Sequence, residues 1–310
     1  MKKALQLILL LPAFSSWLAC AQREEVKQYA AIEKYPADTL LTALSPGRAM
    51  VLIAHDDDMC AMTGTLSILN KKGWVIKVLS IDKGPKRNKA HRKACRHLAD
   101  TVSFLPLRPD QLRRDTKSDQ PPYYALPKSA FDTVFIVGNV KPLLLAEISG
   151  FKPDVLFTLD HELGGYGHPE HVFISDLVFQ MAQQGEITPR YLYQSVFSDH
   201  MEVSIMGRHR KRMISWGFPG DEWDNAKEVY QTPNGMPEPD VQITIVSEAE
   251  EKMQFLQSYN ERERKTLGFF IPAFQEYTAH EYFSIFDREF FRIIKVDKRS
   301  LNGIQSNNTR

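Results

Sequence analysis

Two short segments concentrate side chains that bind metals and move protons. His55-Asp56-Asp57-Asp58 follows the apolar run 49–54, and His168-Pro169-Glu170-His171 follows the glycine-rich stretch Gly164-Gly165-Tyr166-Gly167. Imidazole and carboxylate are donors for a catalytic zinc, which takes three protein ligands and keeps a fourth position for water. His55, Asp58 and His171 could provide that set, for zinc or another divalent ion. Water on such a metal has its pKa lowered from about 15.7 to about 7, so it can attack an amide carbonyl at neutral pH. Asp57, adjacent to a proposed ligand, is placed to accept that water's proton. His168 is placed to stabilise an oxyanion or protonate a leaving amine, and Glu170 to orient His168 or a ligand from behind.

Taken singly, a run of aspartates usually means a solvated loop, and a histidine at a helix start usually has a structural role. Their joint placement at two strand ends is what points to a metal. The run Ala49-Met50-Val51-Leu52-Ile53-Ala54 reads as a strand buried on both faces. A helical pattern over 59–72 follows, then Gly73 and a strand over 74–81, a helix over 87–99 and a strand over 102–105. After a polar, proline-bearing excursion at 106–130, the pattern gives a helix over 141–149, a strand over 154–159 and a helix opening at His168 or Pro169. Alternating strands and helices define a doubly wound α/β fold with a mainly parallel sheet, whose ligands bind beyond the carboxyl ends of the strands. Both motifs leave such ends. Farther on, the sequence predicts a strand over 191–197, an irregular stretch containing Trp216 and Trp223, and one helix over 248–264.

The 310 residues are 43% hydrophobic, enough for a sizeable core, and the net charge of +1 provides no field for nucleic acid or an anionic membrane. Lys2 and Lys3, the apolar run 4–18 and small residues at Ala19 and Ala21 read as an export signal, too short and too interrupted to span a bilayer once the chain is mature. Ala19-Cys20-Ala21 fits cleavage before Gln22, while Leu18-Ala19-Cys20 resembles a lipoprotein box with Cys20 as the lipid anchor. The expected location is the periplasm, the cell envelope or the medium. Apart from Cys20 only Cys60 and Cys95 remain, so disulfides do not staple this chain.

The two motifs resemble those of the PIG-L/LmbE-like de-N-acetylases. The first motif of that family runs His-Pro-Asp-Asp before a helix containing Gly-Thr, matched here by His55 to Asp58 and Gly64-Thr65. The second, His-Pro-Asp-His after a Tyr-Gly loop, is matched by Tyr166-Gly167-His168-Pro169-Glu170-His171. The resemblance covers about residues 48–180, with a fainter echo at 252–260. It implies a Rossmann-like three-layer α/β/α sandwich that hydrolyses the acetyl group from an N-acetylglucosamine-type sugar or glycoconjugate. It also implies zinc at His55, Asp58 and His171, Asp57 as base, His168 for charge stabilisation or acid catalysis and Glu170 in support. Tyr166 would contact the reacting carbonyl and Arg87 would bind substrate. Three positions depart from the family pattern. Asp56 stands for proline, adding charge and loosening the turn; Glu170 stands for aspartate; Ala90 stands where glutamate follows the arginine by three.

The expected organisation is a signal at 1–21, a lead-in segment at 22–46, one deacetylase-like domain at 47–300 and a frayed tail at 301–310. His161-Glu162 does not make a metalloprotease motif, because position 165 is glycine, and neither a serine elbow nor a phosphate loop is present. His91 and Cys95 at helical spacing read as a buried helix face. The aromatics Phe269, Phe270, Phe274, Tyr277, Tyr282 and Phe283 read as core before sugar wall, and Arg208 to Arg212 as a solvated basic face. Two other functions fit the same residues: an exported glycan-binding protein without catalysis, and a metal-dependent amidase for a non-sugar amide.

Overall fold

The computed structural model describes residues 25–115 and 123–296. The export segment and the tail expected from the sequence lie outside them, as do residues 116–122 of the polar excursion. Among the described residues no helix is long and apolar enough to cross a membrane.

One seven-stranded sheet organises the chain, in the order β3-β2-β1-β4-β5-β7-β6. Its strands are β1 (Arg48–Leu52), β2 (Val75–Ile81), β3 (Thr101–Leu105), β4 (Val155–Leu159), β5 (Tyr191–Val196), β6 (Val241–Thr244) and β7 (Arg288–Lys295). The first five pair in parallel, and β7 and then β6 add antiparallel pairs at one side. The strand period of two explains the unbroken apolar run of β1. Ala49, Val51 and Ile53 enter one core with Leu66, Leu69 and Phe255, whereas Met50, Leu52 and Ala54 enter another with Leu144, Val172 and Phe173. Helices α1 (Thr63–Lys71), α2 (Pro85–Ala94), α3 (Val137–Phe151) and α4 (Pro169–Gln183) supply the outer layers of the three-layer sandwich. The α/β architecture is the one the sequence predicts.

The carboxyl-terminal third departs from the sequence reading. The stretch read as irregular contains α5 (Asp199–Ser215) and α6 (Glu222–Val229), and the single helix expected over 248–264 is two. These are α7 (Ala249–Gln257) and α8 (Glu261–Leu267), separated because Asn260 caps the second: its side chain accepts from the Glu263 amide at 3.1 Å. Few apolar positions mark α5, where Glu202, Ile205, Met206 and Met213 are the buried residues, so a basic surface hides the helical period. The lead-in segment packs on the body: Val26 and Leu41 are buried in a core, and Asp38 accepts from the Tyr193 hydroxyl at 2.6 Å.

Strand β7 reaches the helix that follows the first motif through one side chain. Buried Glu289 accepts the amides of Gly64 at 2.8 Å and Thr65 at 2.7 Å, two of the unpaired donors at the start of α1, and also pairs with buried Lys252. Gly64 allows this close approach, since a β-carbon there would lie 2.7 Å from Ile245. Glu289→Ala strands the Lys252 ammonium in the interior and should cost about 3–5 kcal/mol in urea unfolding. A loss under about 1 kcal/mol would show that the pair does not hold α1.

Candidate metal centre

Strand order reverses at β1, so β1 and β4 lie side by side and the loops leaving them share one edge of the sheet. After β1 the chain turns into a 3-10 segment, Asp56–Ala61, with His55 at its cap; the His55 amide donates to Asp58 Oδ2 at 2.8 Å, folding that carboxylate back toward the imidazole. After β4 the loop is wound around buried Asp160, which accepts the amides of Glu162, Leu163 and Gly165. The loop then enters α4, with His168 as cap, Pro169 at the first helical position and His171 on the first turn.

Each histidine ligand expected from the sequence has one ring nitrogen committed outward. His171 Nδ1 faces the Gly164 carbonyl at 3.0 Å, and His55 Nε2 faces Glu170 Oε2 at 2.9 Å. Carbonyl and carboxylate only accept, so these two nitrogens carry hydrogens, and the other two, His171 Nε2 and His55 Nδ1, are the ring atoms turned toward the centre. Those two nitrogens face each other at 2.8 Å, with Asp58 Oδ1 3.2 Å from His171 and Asp58 Oδ2 3.8 Å from His55. A proton or a metal ion between them is what allows three such groups to approach this closely. A tetrahedral zinc with bonds of about 2.0–2.2 Å holds its ligand atoms about 3.3 Å apart, within the span of these distances. The donor set therefore fits the metal.

His168 also lies within reach, and the donor atoms of His55, His168 and His171 converge within 4.8 Å. Its bonding argues for a different part. His168 Nδ1 accepts the Glu170 amide at 3.2 Å, which leaves the hydrogen on Nε2. Burial, with the neighbouring His171 and His55, holds the ring well below the usual imidazole range, so it is a neutral donor at physiological pH. Burial works against the charge on Asp58, but His171 and His55 outweigh it and keep that carboxylate ionised. For His171, burial is outweighed by Asp58, and its pKa is raised.

Glu170 supports His55, one of the two partners the sequence allowed it. Fully buried, it also meets Arg113 Nη1 at 3.2 Å and Lys83 Nζ at 3.5 Å. Burial would raise its pKa, yet the hydrogen bond and charge of His55 and the charge of Lys83 hold it well below the carboxylate range. Lys83 and Arg113 escaped the sequence reading, although Lys83, just past the end of β2, obeys the strand-end rule that found the two motifs. Gly164 has positive φ (61°), and a β-carbon there would fall 2.8 Å from that of His171.

Arg87 lines the cavity, but its guanidinium is engaged: Nε meets Asp56 Oδ1 at 2.6 Å and Nη2 meets Asp57 Oδ1 at 2.8 Å. The turn that Asp56 was expected to loosen is pinned, since the Tyr259 hydroxyl donates to the Asp56 carbonyl at 3.1 Å and Arg87 holds its side chain. Burial and then Asp57 raise the Asp56 pKa to about 6, against the pull of Arg87. His91 lies 3.1 Å from the Tyr259 hydroxyl with Cys95 buried beside it, the buried helix face the spacing indicates.

These groups border a cavity of about 310 Å³ lined by His55, Asp57, Asp58, Tyr166, His168 and His171, with an apolar side of Leu159, Phe197, Leu267 and Phe270. Tyr166 stacks on Phe270 at 4.4 Å and sets its edge to His171 at 5.1 Å; burial and the nearby Asp58 and Asp57 keep its phenol protonated. Of the aromatic group near the carboxyl end, Phe274, Tyr282 and Phe283 are core, whereas Phe269 and Phe270 are half-buried.

Because the ligand nitrogens compete between proton and metal, zinc uptake should release protons and weaken as pH falls. Glu170→Gln, which loosens His55, should lower zinc affinity about 10–100-fold by calorimetry. An unchanged affinity would remove Glu170 from the centre.

Fold and site together define a doubly wound α/β protein with a two-histidine, one-aspartate donor set at its topological switch point. Residues 50–182 match the family model described as PIG-L: GlcNAc-PI de-N-acetylase, and the chain carries a PIG-L family domain over that span. A search of curated proteins gives no match. Similar solved structures include the N,N'-diacetylchitobiose deacetylase of Pyrococcus horikoshii, at 13% identity over 80% of this chain and 84% of that one, TM-score 0.47. The zinc-inhibited form of the teicoplanin deacetylase Orf2 matches at 13%, over 81% and 99%, TM-score 0.46. GalB, the 4-carboxy-2-hydroxymuconate hydratase of Pseudomonas putida KT2440, matches at 13%, over 80% and 96%, TM-score 0.45.

Proposed function

We propose that the protein is a metal-dependent hydrolase that removes the acetyl group from an N-acetylglucosamine-type sugar or glycoconjugate. The observation that carries this reading is the convergence of His55 Nδ1, His171 Nε2 and the Asp58 carboxylate within a PIG-L domain. Those three residues would hold the metal, with zinc favoured by the donor set, and when bound it supplies the Lewis acidity that makes water nucleophilic at neutral pH. Asp57 stands beside this set, oriented by Arg87 through one oxygen, and takes the proton of the attacking water. Neutral His168, its Nε2–H uncommitted to the helix, donates a hydrogen bond to the charge that develops on the carbonyl oxygen, and the proton that Asp57 takes from the water is the one returned to the departing amine. Tyr166 adds a protonated phenol on the same wall, and Arg87 fixes the base rather than the sugar. An exported or envelope location, resting on the leader sequence alone, suits a glycan substrate.

Acetate release from N-acetylated amino sugars by the mature chain with zinc tests the reading. Asp57→Asn should lower turnover by about 10²–10⁴-fold while zinc stays bound in full. Full occupancy with no acetate from any amino sugar would sink it. Release only from simple N-acyl amides would keep the amide chemistry and overturn the sugar.

A further inference from the structure

Aromatic side chains continue outward from the cavity wall. Phe270, stacked on Tyr166, is followed by Phe269 at 6.5 Å, and Phe269 by Trp216 at 5.1 Å, so the indole lies two ring-to-ring steps from the pocket. Trp216, at the end of α5, keeps 54% of its surface exposed, unlike the core aromatics Phe274, Tyr282 and Phe283. An exposed indole joined by ring contacts to a pocket wall offers a flat apolar platform beside that pocket.

The basic run that precedes Trp216 is used unevenly. Arg208 donates to the carbonyls of Gly268 and Phe269, which anchors the loop bearing the two phenylalanines, and Arg210 pairs with Asp224. Arg212, one helical turn before Trp216, sits 3.9 Å over the Phe269 ring and 5.8 Å from the indole. Among the described residues no carboxylate pairs with it, and its buried Nη1 has no hydrogen-bond partner. A planar guanidinium with uncompensated charge beside an open aromatic face suits a flat, partly apolar ligand that carries a carboxylate.

We propose that Trp216, Phe269 and Arg212 form a second saccharide subsite, which takes an acidic sugar residue adjoining the N-acetylated one. It rests on the amino-sugar reading of the pocket and deepens it. The C–H face of a pyranose would lie on the indole, and its carboxylate would meet Arg212. The substrate is then an acidic oligosaccharide or polysaccharide rather than a free amino sugar.

The test is a titration of the mature, zinc-loaded chain, followed by tryptophan fluorescence, with a tetrasaccharide of alternating glucuronate and N-acetylglucosamine and with a neutral N-acetylglucosamine tetramer. The acidic ligand should quench the emission and bind about ten-fold tighter or more, with an advantage that shrinks as salt is added. Trp216→Ala should abolish the quench and weaken both ligands, while Arg212→Gln should bring the acidic ligand to the level of the neutral one. Equal binding of the two ligands, or affinities unmoved by both substitutions, would overturn the subsite. Should no amino sugar release acetate, the catalytic reading fails separately: binding of the acidic tetrasaccharide that depends on Trp216 and Arg212 still supports the subsite, and no binding overturns it.

Discussion

Two imidazole nitrogens and a carboxylate meet within hydrogen-bond distance, and a proton or a metal ion between them is what makes that meeting favourable. Gly164 and Glu170 each fix one imidazole from behind, so the front atoms have no freedom to turn away. What stands around them is arranged accordingly: Asp58 supplies negative charge on the same side, and the negative charge of Glu170 is itself offset by Arg113 and Lys83. Donors held ready for a cation spend little free energy on reorganisation when one binds, the usual advantage of a preorganised site.

The sheet carries this arrangement because its order reverses between β1 and β4, and those two strands end in the two motifs. Parts of the chain far from either motif hold the loops in place. Tyr259, just past α7, grips the Asp56 carbonyl, Glu289 of β7 caps α1, and Phe270 beyond α8 backs Tyr166. The Arg87 guanidinium is shared between Asp56 and Asp57 and holds the two carboxylates side by side.

Much of this arrangement is legible in the amino-acid sequence. The buried strands betray themselves by unbroken apolar runs, and the strand-end rule brings His55, Asp58 and His171 together from 116 positions apart. The roles of Glu170 and His168 were open in the sequence, because a carboxylate one residue from a ligand can face either way; only the ring-nitrogen partners separate them. Helix α5 was missed because a mostly solvated, basic helix has no strong apolar stripe. Strand β6 escapes the sequence reading because it is a four-residue edge strand, and β7 because Arg288, Glu289 and Arg292 interrupt its apolar run. Lys83 and Arg113 looked like ordinary surface charges, which is how a counter-ion for a buried carboxylate reads when its partner is distant in sequence.

The position of β4 also sets limits on how the chain can be divided. Its five residues, Val155–Leu159, are all buried, and one whole side of the strand is paired with β5, which lies outside the span matched to the family. A fragment cut to that span would expose an apolar ladder of unpaired amides and carbonyls at the centre of the sheet, a ready template for other copies to add to. The recognisable motif unit and the unit able to fold are therefore different objects in this protein, and the boundary of the second lies beyond β7.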